Sequence, residues 1–318
     1  MTPDSSVTDS EILYINGGIL GDMPFPSLLT MTKYNGRIYA VPRYNKNRIL
    51  YSKIERNGYA LATNIAYYVD IESNGGDIKE LIQLDDKLII FKESSIYFIT
   101  GDGADDKGQN QNFSPAILIN STIGCTETES IIKIPAGIMF KSNKGIYILD
   151  RSLNVQYIGA SVEKYNVNKV IDSINIDKEN KVKFLLDNSI ILTFDYFYNT
   201  WSTQDTLNFK NLCYYGDSLV ACGFNPIFSP TTPRVYFNDK NSYRLDTLLY
   251  EMRLKTEWIK LSGIQSFQRI YDAKLLGNFV ADFGLKTKTY YNFENVISSE
   301  KINYITRDNG SKIFQAKI

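Results

Sequence analysis

Three aspartates at the ends of predicted strands are the residues best placed for chemistry. Asp150, Asp195 and Asp246 each close an apolar run, and paired carboxylates are the groups that hydrolyse glycosidic bonds. Aspartate at a strand end is also an ordinary turn former, so the same placement fits a purely structural role. The chain contains no histidine, which excludes mechanisms built on a histidine base, a Ser–His pair or a histidine-ligated metal. Carboxylate catalysis is the chemical alternative that stays open.

An acidic, glycine-rich segment at 101–112 is the second candidate. It contains three aspartates, Asp102, Asp105 and Asp106. A calcium loop alternates oxygen ligands around a turn glycine and usually closes on a bidentate acid. Here Ala104 and Lys107 stand where a ligand and the glycine belong, and no closing glutamate follows. We therefore predict a solvated inter-strand loop that could contact a neighbouring subunit, and we expect no metal or cofactor.

An aromatic group in the stretch DYFYNTW could stack on sugars. Its members are Tyr196, Phe197, Tyr198 and Trp201. Aromatic rings in a stacked β-structure more often pack between sheets, and that packing is the default prediction. Sugar binding remains open.

Single basic residues and three cysteines complete the reactive side chains. The basic residues are predicted to lie solvated at strand edges, where they discourage edge pairing; they are Lys87, Lys92, Lys141, Lys144, Arg151 and Lys183. The sequence has 35 basic and 35 acidic residues, so no global field attracts nucleic acid or an anionic membrane. Cys125, Cys213 and Cys222 have no metal-knuckle spacing and are predicted to be buried, apolar thiols.

The elements that position these residues repeat along the chain. Residues 91–100 (FKESSIYFIT) and 140–150 (FKSNKGIYILD) are two versions of one β-hairpin. Entry turns at Asn35, Asp85, Ala136, Glu179 and Gly216 recur every 37 to 51 residues. That period matches the four-stranded blade of a β-propeller. We therefore predict an all-β fold with about five blade-like repeats.

The rhythm changes near residue 248, where longer alternating strands begin. Met252, Leu254, Thr256 and Trp258 alternate with charged residues, as in a strand with one wet and one dry face. We predict propeller blades over residues 1–248 and a sandwich-like β domain over 249–318. Residues 12–15 are a strand candidate, 161–174 are the best helical candidate, and 225–233 are predicted to form a proline-rich loop. No apolar run is long enough for a membrane helix, and no membrane partner is expected.

Several stretches, taken in order, resemble the tail-nozzle proteins of short-tailed bacteriophages, also called packaged-DNA stabilisation proteins. The phrases are GDG (101–103), FSP (113–115), IGC (123–125), LDR (149–151) and YIGA (157–160), together with DYFYNTWST (195–203) and the segment 256–277. The resemblance spans about residues 19 to 293. The family carries further sequence before the first hairpin, so the resemblance implies a propeller that is incomplete at its N-terminus. The chain stops in the apolar stretch KIFQAKI, so we expect the second domain to be truncated.

This resemblance implies a structural virion protein of the tail, assembled in the host cytoplasm, and not an enzyme. Its partners would be identical subunits in a ring, commonly a hexamer, the portal and adaptor, and other tail proteins. It would contact genomic DNA only in passing, as part of the exit channel. The alternative is a propeller that binds or hydrolyses cell-surface polysaccharide.

Overall fold

The computed structural model shows an almost entirely β protein. It describes residues 18–54, 61–205, 208–216, 218–225, 229–237, 244–245, 248–249, 252–255, 272–276, 283–290, 297–305 and 313–317. The strand candidate at 12–15 lies outside these residues. By contact, the chain divides into two compact units, residues 1–249 and 250–318. The side-chain contacts described below lie in the first unit.

Four four-stranded antiparallel sheets follow one another along the first unit, and each is a simple meander. We call them blades 1 to 4. Blade 1 is β1–β4 (Leu28–Tyr34, Arg37–Pro42, Arg48–Tyr51, Tyr68–Asp70), and blade 2 is β5–β8 (Ile78–Leu84, Lys87–Lys92, Ile96–Ile99, Ile117–Asn120). Blade 3 is β9–β12 (Glu127–Ile134, Gly137–Ser142, Gly145–Asp150, Val155–Tyr157), and blade 4 is β13–β16 (Val170–Ile176, Lys181–Leu186, Ile190–Asp195, Thr200–Asp205).

A fifth sheet, blade 5, has three described strands, β17–β19 (Phe209–Tyr215, Ser218–Asn225, Ser229–Phe237). A short hairpin, β20–β21 (Arg244–Leu245, Leu248–Leu249), follows it. The five predicted entry turns all lie between the first and second strands of these five sheets. At the first of them, Asn35 and Gly36 both have positive φ, 44° and 71°, which is the conformation that a tight hairpin turn needs. The predicted all-β, blade-like repeat is therefore confirmed.

The blades stack face to face around their first strands. β1 lies next to β5, β5 next to β9, β9 next to β13, and β13 next to β17. Between each pair of blades lies one apolar core, built from a face of one blade and the opposing face of the next. A sheet that is covered on both faces needs apolar residues in succession, and the run Leu88–Ile89–Ile90–Phe91, fully buried on both faces, meets that need. This arrangement of radially repeated four-stranded sheets is that of a β-propeller.

Two local predictions are wrong in part. The candidate at 161–174 does begin with a short helical segment between blades 3 and 4, the 3₁₀ helix Ala160–Tyr165, but Val170–Ile176 is the first strand of blade 4. A second 3₁₀ turn, Asp177–Glu179, follows that strand. The proline-rich segment at 225–233 is largely strand, because β19 begins at Ser229 and Pro233 pairs with Phe224. Proline, which lacks an N–H group, is tolerated in such a strand at the edge of a sheet.

The second unit contains four described strands. β22 (Asp272–Leu276) pairs with β25 (Ile313–Lys317), and β23 (Phe283–Tyr290) pairs with β24 (Ile297–Ile305), both antiparallel. The alternating strand predicted from residue 248 onward is wrong over residues 252–255, which have no regular structure and expose Met252 and Leu254. Thr256 and Trp258 lie outside the described residues. The sandwich-like arrangement stays a prediction. Among the described residues, no helix is long and apolar enough to span a membrane.

Candidate interaction surfaces

Hydrogen bonds made by polar side chains on the first strands of the sheets join consecutive blades. In each of the five sheets the register between the first and second strands shifts once, which is the mark of a β-bulge. Polar side chains near these bulges reach the next blade. The Thr30 hydroxyl of blade 1 donates to the Glu80 carboxylate of blade 2. The Asp172 carboxylate of blade 4 accepts from the Leu212 amide of blade 5 at 2.6 Å.

The junction between blades 3 and 4 carries a deeply buried ion pair. Lys141 Nζ lies 2.8 Å from Glu127 Oε1, and the two side chains are only 4% and 12% exposed. Lys141 also donates to the carbonyl of Asn168, and the second oxygen of Glu127 accepts from the Val170 amide at 2.6 Å. A buried charge needs such complete pairing. Glu127 and Lys141 belong to blade 3 and Val170 to blade 4, so the pair joins two blades.

The predicted solvated basic residues therefore divide into two groups. Lys144 is exposed as predicted, but the prediction is wrong for Lys92 and Lys141, which are buried. Lys92 donates to the Glu72 carbonyl, and its ammonium lies 6.0 Å from the centre of the Tyr97 ring. Burial lowers the pKa of Lys92, and it also lowers the pKa of Lys183.

Arg151 joins blades 2 and 3. It donates to Asp85 and, at 2.7 Å, to the Pro135 carbonyl.

The acidic loop at 101–112 lies against blade 1, although it connects two strands of blade 2. Arg37 is buried and donates to the Ala104 carbonyl at 2.6 Å and to the Ser52 carbonyl at 2.8 Å. The Tyr51 hydroxyl accepts from the Ala104 amide, and the Tyr67 hydroxyl donates to the Asp105 carbonyl. The prediction of a merely solvated loop is thus wrong for its first half, which covers the aromatic core of blade 1.

Two features of this loop explain its sequence. Gly103 has φ of +80°, and a Cβ atom there would lie 2.7 Å from the Phe113 ring and 2.9 Å from the Tyr51 ring. Only glycine fits so close an approach with positive φ. The Asp105 carboxylate accepts from the Gln109 and Lys107 amides, and these hydrogen bonds lower its pKa. No group of acidic or cysteine side chains in the described residues is arranged to hold a metal ion.

The two described strand-end aspartates accept hydrogen bonds from backbone amides of turns, and they lie in different blades. Asp150 accepts from the Asn154 amide at 2.8 Å in blade 3. Asp195 accepts from the amides of Phe197 and Tyr198, both at 3.0 Å, in blade 4. Asp246 lies outside the described residues. Each described carboxylate thus closes its own turn, as an ordinary turn-forming aspartate does.

The aromatic stretch at 196–201 is split between core and surface. Trp201 packs on Phe194 with ring centres 4.8 Å apart, and its indole N–H donates to the Ile158 carbonyl at 2.8 Å. Tyr196 packs on the same core. Phe197 and Tyr198 are each 72% exposed and contact each other edge to face at 4.9 Å. Packing between sheets is therefore confirmed for Trp201 and Tyr196 and wrong for the exposed pair.

The three cysteines are also divided between the core and the surface. Cys125 is buried, as predicted, and burial raises the pKa of its thiol to about 12. The prediction is wrong for Cys213 and Cys222, which are exposed on blade 5. Local sequence did not indicate this difference, because Cys125 is followed by the polar stretch TETES, whereas Cys213 and Cys222 have apolar neighbours. Their exposure follows from the position of blade 5 at the end of the described row of blades.

A partly buried carboxylate, Glu80, makes the junction of blades 1 and 2 sensitive to pH. Burial raises the pKa of Glu80 and the Glu129 carboxylate adds to the rise, while hydrogen bonds from Thr30 and Leu81 oppose it. The folded protein therefore binds this proton more tightly than the unfolded chain. The charged form costs stability above the folded pKa, and the cost disappears as pH falls toward the unfolded value.

We expect Glu80→Gln to stabilise the protein at pH 7 by about 1 kcal/mol or less, because the amide oxygen still accepts both hydrogen bonds without a buried charge. The gain over the native chain should shrink as the pH falls toward the unfolded pKa of about 4.3. Urea unfolding from pH 4 to pH 8 measures it. The exposed Glu163→Gln is the matched control for removing one carboxylate. A Glu80→Gln chain that is less stable at every pH would contradict this account.

Comparisons with known proteins define no family. No family model matches the chain, and no curated protein matches it. Among solved structures, PorZ of the type-IX secretion system of Porphyromonas gingivalis aligns with 67% of this chain and 28% of its own, at 10% identity and a TM-score of 0.41. Sqt1 of Saccharomyces cerevisiae aligns over 69% and 64%, at 8% identity and a TM-score of 0.43.

The N-terminal domain of Nup159 aligns over 70% of this chain and 60% of its own, at 12% identity and a TM-score of 0.38. The chain spans less than two thirds of the length of each of these structures. Matches at such low identity and TM-score carry no argument about function.

Proposed function

We propose that the protein is a structural virion component, a subunit of the tail nozzle of a short-tailed phage. It would retain the packaged genome and form part of the channel through which the DNA leaves. In such a role the protein has to hold its shape against internal pressure, and no covalent chemistry is required of it. Its partners would be identical subunits in a ring, the portal and adaptor, and other tail proteins.

The observation that carries this proposal is the position of the phrases shared with that family. In GDG, the Asp102 carboxylate accepts from the Asn35 side-chain amide at 2.8 Å, and a Cβ on Gly103 would lie 2.9 Å from the Tyr51 ring of blade 1. In IGC, a Cβ on Gly124 would lie 2.3 Å from the Lys92 carbonyl oxygen, and the Cys125 amide donates to that carbonyl at 2.8 Å. These phrases occupy contacts between blades, so they are residues that hold a rigid architecture together.

The two remaining phrases that contact a neighbouring blade have the same character. Arg151 of LDR donates to the Pro135 carbonyl and to Asp85 of blade 2. Ile158 of YIGA accepts from Trp201 of blade 4. A resemblance carried by blade-to-blade contacts supports an architectural role over a catalytic one.

Purified virions test this proposal. We expect the protein in tail fractions by mass spectrometry, and labelled at the tail tip by antibody in electron micrographs. Phage lacking it should fill their capsids with DNA and then lose that DNA. Its absence from virions, or a gene set devoted to polysaccharide use around its own gene, would overturn the proposal.

A second candidate function, sugar binding, is favoured by the exposed pair Phe197 and Tyr198. The turn that carries them is fixed by Asp195, so the two rings are presented in one arrangement. Aromatic faces stack on sugar rings. A glycan array probed with the native chain and with the Phe197→Ala/Tyr198→Ala chain distinguishes the candidates: retention of glycans only by the native chain would favour sugar binding.

A further inference from the structure

Each blade junction follows one packing rule. We call the face that a blade turns to the preceding blade its leading face, and the opposite one its trailing face. Between blades 1 and 2, the trailing-face residues Tyr39 and Tyr51 meet the leading-face residues Leu81 and Ile90. The three later junctions are built in the same way. Every described junction therefore joins one trailing face to one leading face.

The trailing face of blade 5 is apolar and exposed on its two outer strands, while Val220 on its central strand is only 7% exposed. Leu212, Ala221 and Tyr236 turn toward blade 4, so their neighbours along each strand turn away from it. The register places those neighbours on one face: Cys213 opposite Val220, Val220 opposite Phe237, and Cys222 opposite Val235. Tyr215 and Phe237 on this face are 76% and 65% exposed.

The leading face of blade 1 has apolar side chains exposed on its outer strands, whereas Ala40 and Leu50 on its inner strands are only 0% and 6% exposed. Tyr39 and Tyr51 turn toward blade 2, so residues on the alternate positions turn away. Met31 lies opposite Ala40 on this face, and Tyr68 lies opposite Leu50. Met31 is 66% exposed, and Leu29 and Tyr68 are exposed beside it. A monomer rarely exposes apolar groups in so ordered a row unless something binds them.

We propose that the trailing face of blade 5 binds the leading face of blade 1 of a second copy of this chain. The two surfaces are the two kinds that meet at every described junction, and no described blade packs against either of them. Large aromatic side chains such as Tyr215 and Phe237, beside the small thiols of Cys213 and Cys222, are typical anchors of a protein–protein contact. The partner is thus identified by the packing rule of the fold itself.

Because the two faces differ, the contact is head to tail. A contact of this type repeats from copy to copy and gives a closed ring when the rotation closes, or a filament when it does not. The inference deepens the proposed function, on which it rests for the expectation of a closed ring. It names the surfaces through which identical subunits would meet, in place of the loop at 101–112.

Cross-linking between two differently tagged chains tests the pairing. One chain carries Met31→Cys with Cys213→Ser and Cys222→Ser; the other keeps Met31 and Cys213 and carries Cys222→Ser. Cys125 is buried in both. We expect a short bismaleimide to give a covalent dimer in the mixture and not in either chain alone. Val167→Cys, at a highly exposed site away from both faces, replaces Met31→Cys in the control.

Three results would overturn the pairing. These are dimers no more abundant than in the Val167→Cys control, dimers formed by either chain alone, and a link within one chain that carries both Met31→Cys and Cys213. As an independent measurement, Tyr215→Lys and Met31→Lys, one on each face, should each raise the dissociation constant by at least about tenfold in sedimentation experiments. Circular dichroism checks that each variant is folded, and folded variants that associate like the native chain would contradict the proposal.

The outcomes separate this inference from the proposed function. A chain that cross-links as expected but is absent from virions would support the proposed interface and contradict the proposed nozzle function. A virion protein whose copies do not cross-link through these faces would keep the nozzle and remove the interface.

Discussion

Replacing Lys141 with methionine should lower the free energy of unfolding by about 3–5 kcal/mol, the usual cost of breaking a buried ion pair on one side. The ammonium of Lys141 is paired with Glu127 and also donates to the Asn168 carbonyl. Without it, the Glu127 carboxylate stays buried with no compensating cation. Denaturant unfolding followed by tryptophan fluorescence measures the loss.

Two variants make this result specific. Lys144→Met removes an exposed lysine from the same hairpin, and it should change stability by less than about 0.5 kcal/mol. Adding Glu127→Gln to Lys141→Met should recover part of the loss, because the amide still accepts the hydrogen bond from Val170 and carries no charge. A loss in Lys141→Met no larger than in Lys144→Met would show that the pair does not stabilise the junction.

Replacing Arg37 with methionine should cost about 3 kcal/mol, since hydrogen bonds from a charged donor contribute roughly 1.5–3 kcal/mol each. Arg37 makes two such bonds, to the carbonyls of Ser52 and Ala104, and its guanidinium lies 5.5 Å from the centre of the Tyr51 ring. Methionine fills much of the space but leaves both carbonyls without their donor. The loop at 101–112 should then open more often.

Limited trypsin digestion reads this opening directly, because Lys107 is exposed within the loop. Cleavage after Lys107 should accelerate about tenfold for each 1.4 kcal/mol of lost anchoring. Arg43→Met is the matched control: Arg43 is an exposed arginine of the same blade that donates to the Leu28 carbonyl. Equal cleavage rates in the two variants would mean that Arg37 does not hold the loop.

The repeat itself could be predicted from the sequence, because hairpins are local. The turn at Asn35–Gly36 and the paired phrases at 91–100 and 140–150 specify strands through alternation and turn chemistry, and the structure places them as predicted. The helix predicted at 161–174 is wrong for its second half, because the segment is short. Over so few residues, helical and extended periodicity are not separable, and pairing with β14 decides for the strand at Val170–Ile176.

Burial of charge and exposure of apolar groups were set by contacts distant in sequence. Lys92, Lys141 and Lys144 look alike in their local context, but Lys141 lies between two blades, where Glu127 and the Asn168 carbonyl surround it. All three cysteines were predicted to be buried, yet Cys213 and Cys222 lie on the face of blade 5 that no described blade covers, and both are exposed.

The sequence by itself therefore determined the β-repeat, its period and its turns, since each depends on residues within a few positions of one another. Only the tertiary structure decided that the loop at 101–112 covers blade 1, that Lys141 is buried at a junction, and that two apolar blade faces have no described blade against them. The physical reason is that a side chain's environment depends on which blade stacks against it. Local sequence does not encode that neighbour.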